Sequence, residues 1–157
     1  MMEFFGFRVV ENLQKIDQDI QKSELQYHKK RVLVSKEFMF DAAHHLHCYE
    51  GKCKNLHGHT YKVIVGVSGF VNEIGLVVDF GDLKKMWKDE IEIYLDHRYL
   101  NETLPKMNTT AENMVVWIYE KFKESLAKYP DARVEFIRLY ETPTSYAEAR
   151  REWMEGE

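Results

Sequence analysis

A thiol, two histidines and an alternating apolar run follow one another without a gap between Cys53 and Val65. His57 and His59 flank Gly58 and open an alternation of Tyr61, Val63, Val65 and Val67 against Lys62, Ile64, Gly66 and Ser68. A strand there puts both imidazoles on one face. Two imidazoles so placed suit zinc, which takes histidine nitrogen at roughly 2.0–2.1 Å. Gly58 leaves the opposite face free for close backbone approach. The residues Lys54, Asn55 and Leu56 read as a short turn before the strand, so the Cys53 thiol sits near a metal without having to ligate it.

A third ligand must come from elsewhere, and the preceding segment offers three. Arg31 to Ala43 reads as the first core strand, rich in β-formers at Val32, Val34, Phe38 and Phe40, with Lys36-Glu37 marking a bulge or register change. Alternation then places Phe38, Phe40, Ala42 and His44 on one face, His45 on the other, and His47 in a loop. A lone histidine is ordinarily a hydrogen-bonded or exposed imidazole; a His-Gly-His pair downstream favours a ligand from this cluster. Spacing does not choose among His44, His45 and His47. A structural zinc module closed by Cys48, Cys53, His57 and His59 is the competing arrangement, although Cys-x4-Cys lies at the wide end of the usual spacing.

The other elements are read from period and punctuation. Apolar residues from Val9 or Val10 through Leu13, Ile16 and Ile20 predict an amphipathic helix over about 8–28, with His28 on its polar side as a solvated histidine. After a strand over 57–71, Asn72 to Gly75 forms a turn and Leu76 to Phe80 a short hairpin return ending at Asp79. A helix begins at Gly81 or Asp82 and buries Leu83, Met86, Trp87, Ile91, Tyr94 and Leu95. At its end Asp96 beside His97 suits a cap or the start of a proton relay. Thr109 and Glu112 form a capping box for a helix to about Lys128, with Met114, Trp117, Ile118, Phe122 and Leu126 as its stripe. Tyr129-Pro130-Asp131 stops it, Arg133 to Glu141 is the last long strand, and Ser145 to Glu157 adds a short strand or helix. With no Gly-rich phosphate loop and no βαβ alternation, the order indicates an α+β fold. Its core is an antiparallel four-stranded sheet with two long helices on one face, plus the extra N-terminal helix. The division is an N-terminal helical extension over 1–30 and one catalytic domain over 31–157.

A chain of 157 residues buries a core of its own, so a metal is functional rather than a structural necessity. Net charge of -4 gives no general attraction to nucleic acid or anionic membrane, and a polyanionic substrate needs a local basic pocket. The apolar start carries Glu3, lacks a basic region and is followed by charges, so it fits neither signal peptide nor membrane span. Two cysteines make no secreted framework. The expected compartment is a reducing cytoplasm, and the sequons at Asn101 and Asn108 are chance matches.

Five motifs in order resemble the 6-pyruvoyl-tetrahydropterin synthase superfamily, and within it the bacterial 6-carboxy-5,6,7,8-tetrahydropterin synthases of queuosine biosynthesis. They are Phe40-Asp41-Ala42-Ala43-His44, Cys53 to His59, Asp79-Phe80-Gly81-Asp82-Leu83, Leu95 to Asn101, and Thr109-Thr110-Ala111-Glu112 followed by Glu141-Thr142. The resemblance implies a tunnelling fold assembled as a homohexamer, two trimers with sites at subunit interfaces. It assigns the third ligand to His44, so that zinc is held by His44, His57 and His59 with a position open to substrate. It makes Cys53 the proton acceptor, His97 its relay partner oriented by Asp96, and Glu141 the anchor for the pterin's amino-pyrimidine edge. Zinc would act as a Lewis acid on the substrate's side-chain hydroxyls. A thiol, ordinarily near pKa 8.5, becomes a base near neutrality when a cation lowers it, and Lys52, Lys54 and Lys62 are candidate phosphate contacts. The resemblance implies 7,8-dihydroneopterin triphosphate as substrate, converted with loss of triphosphate and acetaldehyde. The pyruvoyl-forming relatives, which retain the side chain, resemble Cys followed by five residues before His-Gly-His; this chain has three. Folate-type relatives carry a glutamate just ahead of the pair, absent here. A pterin-binding protein without catalysis is the remaining alternative, and every matched catalytic position is filled.

Overall fold

The computed structural model describes residues 10, 11, 13 and 16–156. The positions that alternate in the sequence alternate in burial. In β1 (Val32–His44) Phe38, Phe40, Ala42 and His44 are buried, and in β2 (His57–Gly69) Tyr61, Val63, Val65 and Val67. The two strands pair antiparallel without interruption from Val32↔Gly69 to His44↔His57, so the irregularity expected at Lys36-Glu37 does not occur. The shift in register falls instead between β2 and β4 (Arg133–Thr142), at Gly66/Val67. A Cβ at Gly66 would come within 2.2 Å of the Phe136 ring, so only glycine fits there.

The sheet has five strands, in the order β3-β1-β2-β4-β5. β5 (Ser145–Arg150) continues the antiparallel set, while β3 (Arg98–Tyr99) pairs parallel with Ala42 and Ala43 of β1. Four antiparallel strands are present, with Ser145–Arg150 as the fourth in place of the expected Leu76–Phe80 return, and the short parallel strand adds a fifth at the edge. A four-residue helix, Arg151–Met154, follows β5.

Both long helical runs cover the same face. Helix α1 (Phe80–Met86) is capped by Asp79, whose carboxylate accepts from the Gly81 amide at 2.7 Å. That cap starts the helix earlier than expected and ends the proposed return: Leu76 to Asp79 forms no strand, although the Asn72–Gly75 turn closes with a 3.0 Å hydrogen bond. Past Met86 the run loosens into a π turn at Trp87–Ile91 and a 3-10 turn at Glu92–Tyr94. The Trp87 indole N–H spans this break, donating to Glu92 at 2.7 Å. After a single turn, α2 (Leu100–Thr103), the second run is α3 (Ala111–Ser125), extended by a 3-10 turn to Lys128. Phe38 stacks on Trp87 at 4.9 Å and Phe40 on Tyr61 at 4.7 Å, with Phe122 of α3 closing the aromatic centre.

The helix expected over 8–28 lies partly outside the described residues. Val10, Glu11 and Leu13 have helical backbone, but from Ile16 the chain turns, Asp17 takes a left-handed φ of 69°, and one 3-10 turn occupies Lys22–Glu24. Ile16, Ile20 and Leu25 are exposed, so the stripe lacks the packing that stabilises a short helix. His28 is exposed, as expected. Among the described residues no helix is long and apolar enough to cross a membrane.

Candidate functional site

The β1–β2 register brings the three histidines together. His44 and His57 are direct cross-strand partners and His59 pairs with Ala42, so all three project from the buried face at one end of the sheet. Ring centroids lie 4.7 Å apart for His44–His57, 4.9 Å for His57–His59 and 5.4 Å for His44–His59. One donor nitrogen from each lies within 4.8 Å of the others. Of the three histidines left open by spacing, the structure brings His44 into this group. His45 and His47 instead pack against each other at 4.4 Å, with His45 stacked on Tyr99.

The hydrogen bonds decide which nitrogens are free. His44 Nδ1 lies 2.7 Å from the Thr109 carbonyl and His57 Nδ1 2.7 Å from the Asn55 carbonyl. A carbonyl only accepts, so both rings carry their proton on Nδ1 and present a lone pair at Nε2. Nε2 of His44, His57 and His59 is buried without a hydrogen-bond partner. Three converging, unsatisfied imidazole nitrogens are a costly arrangement unless something binds them, and they fit a divalent metal. Burial, offset in part by Glu141, lowers the pKa of His44 and of His59, which keeps them neutral as ligation requires.

Thr109, expected from the sequence to cap α3, does not cap it. It is fully buried and bonded to His44, while Thr110 is the cap, accepting from the Asn113 amide at 3.2 Å. The capping-box pattern located the helix start one residue early, because the first threonine is held by the histidine.

Glu141, on the buried face of β4, puts a carboxylate oxygen 3.6 Å from His59 Nε2. It also lines a cleft of about 490 Å³ between α3 and β5, together with Glu112, Val115, Ser145 and Tyr146. Cys53 lies in a 3-10 turn at Lys52–Lys54, half-buried and free; its carbonyl accepts from the Leu46 amide at 2.8 Å and closes the loop that leaves β1. Burial, and then the charges of Glu141 and Cys53, push the Tyr61 phenol far above its ordinary value. Tyr61, Glu141 and Cys53 are thus electrostatic neighbours beneath the histidines. Cys48 is exposed and free, and the metal-capable group contains no sulfur, so the four-ligand Cys48/Cys53 alternative is not formed.

Asp96 and His97 lie on the other side of the sheet. The His97 amide donates to the Asp41 carbonyl at 2.6 Å, the Asp41 amide donates to Asp96 at 3.0 Å, and His97 Nδ1 meets Asp96 at 2.9 Å. Asp41 in turn accepts from the Thr60 hydroxyl at 2.5 Å. His97 holds a left-handed φ of 58° and lines a shallow cleft with Asp41, Ala43, Gly58 and Thr60, which Ala42 and the half-buried His59 also reach. The hydrogen bond that His97 donates to Asp96, and then the charge of Asp96, raise the His97 pKa. Burial works to raise Asp96, but the Asp41 amide and His97 outweigh it and the carboxyl is lowered. Among the described residues no hydrogen bond or ion pair joins Cys53 to Asp96 or His97. Lys62 also projects from this open face, over the Tyr140 ring at 4.5 Å, apart from Lys52 and Lys54 beside the thiol.

Residues 33–152 match the family described as 6-pyruvoyl tetrahydropterin synthase. A Haemophilus influenzae protein named 6-carboxy-5,6,7,8-tetrahydropterin synthase is 39% identical over 139 residues, covering 73% of this chain and 96% of the relative. A Poecilia reticulata protein named 6-pyruvoyl tetrahydrobiopterin synthase is 34% identical over 125 residues, covering 69% of this chain and 83% of the relative. Among solved structures, the Caenorhabditis elegans 6-pyruvoyl tetrahydropterin synthase aligns with a TM-score of 0.70 at 26% identity, covering 80% of this chain and 99% of that one.

Proposed function

Since the chain belongs to the 6-pyruvoyl tetrahydropterin synthase family and is an enzyme of it, we propose that it converts 7,8-dihydroneopterin triphosphate to 6-carboxy-5,6,7,8-tetrahydropterin. Triphosphate and acetaldehyde are released, and the product serves queuosine or another 7-deazapurine in the cytoplasm. The observation that carries this reading is the set of unpartnered Nε2 atoms on His44, His57 and His59, beside Glu141 and downstream of Cys53. Those three imidazoles would hold zinc, which supplies Lewis acidity toward the hydroxyls of the substrate's side chain when bound.

The chain's own groups divide the remaining work. Glu141 accepts two parallel hydrogen bonds from the pterin's N–H edge and fixes the ring. Cys53 takes the proton from the side chain. His97 passes it on through Nε2, because Nδ1 is engaged by Asp96. With the His97 ring beside Asp41 on the open face and no hydrogen bond or ion pair to Cys53 among the described residues, the relay partner of each Cys53 is supplied by a neighbouring copy. This supports a closed homo-oligomer, a hexamer of two trimers, with sites between subunits. Residues 31–157 form the catalytic domain and 1–30 an extension of it; the family match beginning at residue 33 supports that boundary.

Formation of the pyruvoyl product is the second reading, favoured by the Poecilia reticulata relative. The three-residue gap between Cys53 and His57 supports the carboxy product instead. Incubation of the purified zinc form with 7,8-dihydroneopterin triphosphate, followed by mass identification of both products, separates them. Carboxytetrahydropterin with acetaldehyde is expected; a pyruvoyl product without acetaldehyde would overturn the first reading.

A further inference from the structure

We infer that Asn101 is a positioning residue for the metal site, holding His44 through the buried hydroxyl of Thr109. The inference rests on the metal reading of the three histidines. Its starting point is the orientation of one amide. Asn101 Oδ1 accepts from the His45 backbone N–H at 3.0 Å, and Asn101 Nδ2 donates to the His45 carbonyl at 2.9 Å. The alternative flip would set donor against donor and acceptor against acceptor, so the oxygen's place is fixed by the backbone it pairs with.

That orientation propagates. The Thr109 hydroxyl lies 3.2 Å from Asn101 Oδ1, which has no proton to give, so the hydroxyl donates and its hydrogen is committed. Its oxygen, 3.1 Å from His44 Nδ1, is left to accept, alongside the Thr109 carbonyl at 2.7 Å. Both then require the proton on Nδ1. Without Asn101 the hydroxyl could rotate and donate to Nδ1, so that the Thr109 carbonyl alone holds the proton there and the opposite tautomer, with a hydrogen on the nitrogen aimed at the metal, is disfavoured less. Thr109 is fully buried and His44 is 1% exposed, so no solvent is at hand to make the choice instead. The same amide also fixes the backbone immediately after His44, which sets where the ring stands.

A neighbouring asparagine supplies the comparison. Asn108 makes the equivalent two-way pair with His47, accepting at 2.6 Å and donating at 2.9 Å, but no hydrogen bond joins its side chain to Thr109 or His44. Both asparagines order the strap that leaves β1; only Asn101 also reaches the metal histidine through a hydroxyl.

The test uses the full chain, stripped of metal, and two readouts independent of turnover. Zinc affinity by chelator competition is expected to fall roughly tenfold to a hundredfold in Asn101→Ala, and also to fall in Thr109→Val, which keeps the carbonyl. The double variant should lose little beyond Asn101→Ala alone, since the two act in one chain of bonds. Asn108→Ala should stay close to wild type. Nitrogen-15 spectra of the metal-free protein should show His44 with its proton on Nδ1 in wild type and a minor share of the opposite tautomer in Asn101→Ala, the Thr109 carbonyl still favouring Nδ1. An unchanged affinity and tautomer in Asn101→Ala, losses that multiply independently in the double variant, or an equal loss in Asn108→Ala would overturn the inference. Wild-type protein that takes up no zinc would overturn the metal reading. The tautomer comparison would still decide whether Asn101 positions His44.

Discussion

The separation of Cys53 from His97 can be tested by mixing two inactive proteins. Cys53→Ala removes the proposed proton acceptor and His97→Ala the proposed relay, and loss of an acid–base group reduces rate by on the order of 10²–10⁴. If each site draws its thiol from one copy and its imidazole from another, a mixed assembly of the two variants regains some intact sites. At equal proportions the thiol donor carries Cys53 half the time, and the neighbour carries His97 half the time. Random assembly therefore restores roughly a quarter of wild-type turnover. The structure makes the alternative hard to reach: the His97 amide is pinned to the Asp41 carbonyl of β1 at 2.6 Å, and its ring shares the open face with Thr60 and Ala43. The assay is co-expression of the two variants with different tags, sequential purification for both, and measurement of triphosphate release. Turnover no higher than the parents' mean would place thiol and relay in one chain and refute the two-face reading.

Zinc supplied at a hundredfold excess over its dissociation constant should stabilise the metal-free protein by about 2.7 kcal/mol. For a chain of this size that raises Tm by about 5–11 °C, and differential scanning calorimetry should find the rise absent in His44→Ala. The raised pKa of His97 should fall toward 6.5 in Asp96→Asn, read by NMR titration of the ring. The sign follows from linkage: a raised histidine stabilises the fold fully below its unfolded value of 6.5 and loses that contribution as pH rises through the folded value. Trp87→Ala should destabilise the fold by about 3–5 kcal/mol, because the indole is buried, stacks on Phe38 and bridges the π turn to Glu92. A shift in the urea midpoint at unchanged slope would measure it, and a loss under about 1 kcal/mol would remove Trp87 from the centre of the core.

What was legible in the sequence follows from where the forces are local. The alternation through Phe38, Phe40, Ala42 and His44 survives intact because one buried face fixes both strand and register. That register in turn delivers two of the three imidazoles opposite one another. The stripe over 8–28 had the right period but meets no surface from Ile16 onward, and periodicity alone does not supply a partner. Asp79 was a cap signal in plain view, yet the apolar run around it read as a strand. Thr109 and Thr110 are equivalent to a local rule, and only the buried His44 ring distinguishes them. The placement of Asp96 and His97 depends on a two-residue parallel strand at the sheet edge, which has no sequence period to read.

These placements divide the protein's work between chain and assembly. The histidine group is complete within one copy: its register, its Nδ1 partners Thr109 and Asn55, and the nearby Glu141 all come from the same chain. Metal uptake is then expected of the folded single chain. The proposed proton path is not complete in the same way, since among the described residues no hydrogen bond or ion pair joins Cys53, in the turn before β2, to His97 beside Asp41 on the open face. The open face also leaves Leu33, Met39 and Tyr146 exposed, Met39 two residues from Asp41 on β1, apolar surface that a second copy's contact would cover. Binding of zinc without turnover is therefore the expected property of an isolated copy if, as proposed, the thiol acquires its relay only when the open face of one copy meets the histidine end of another.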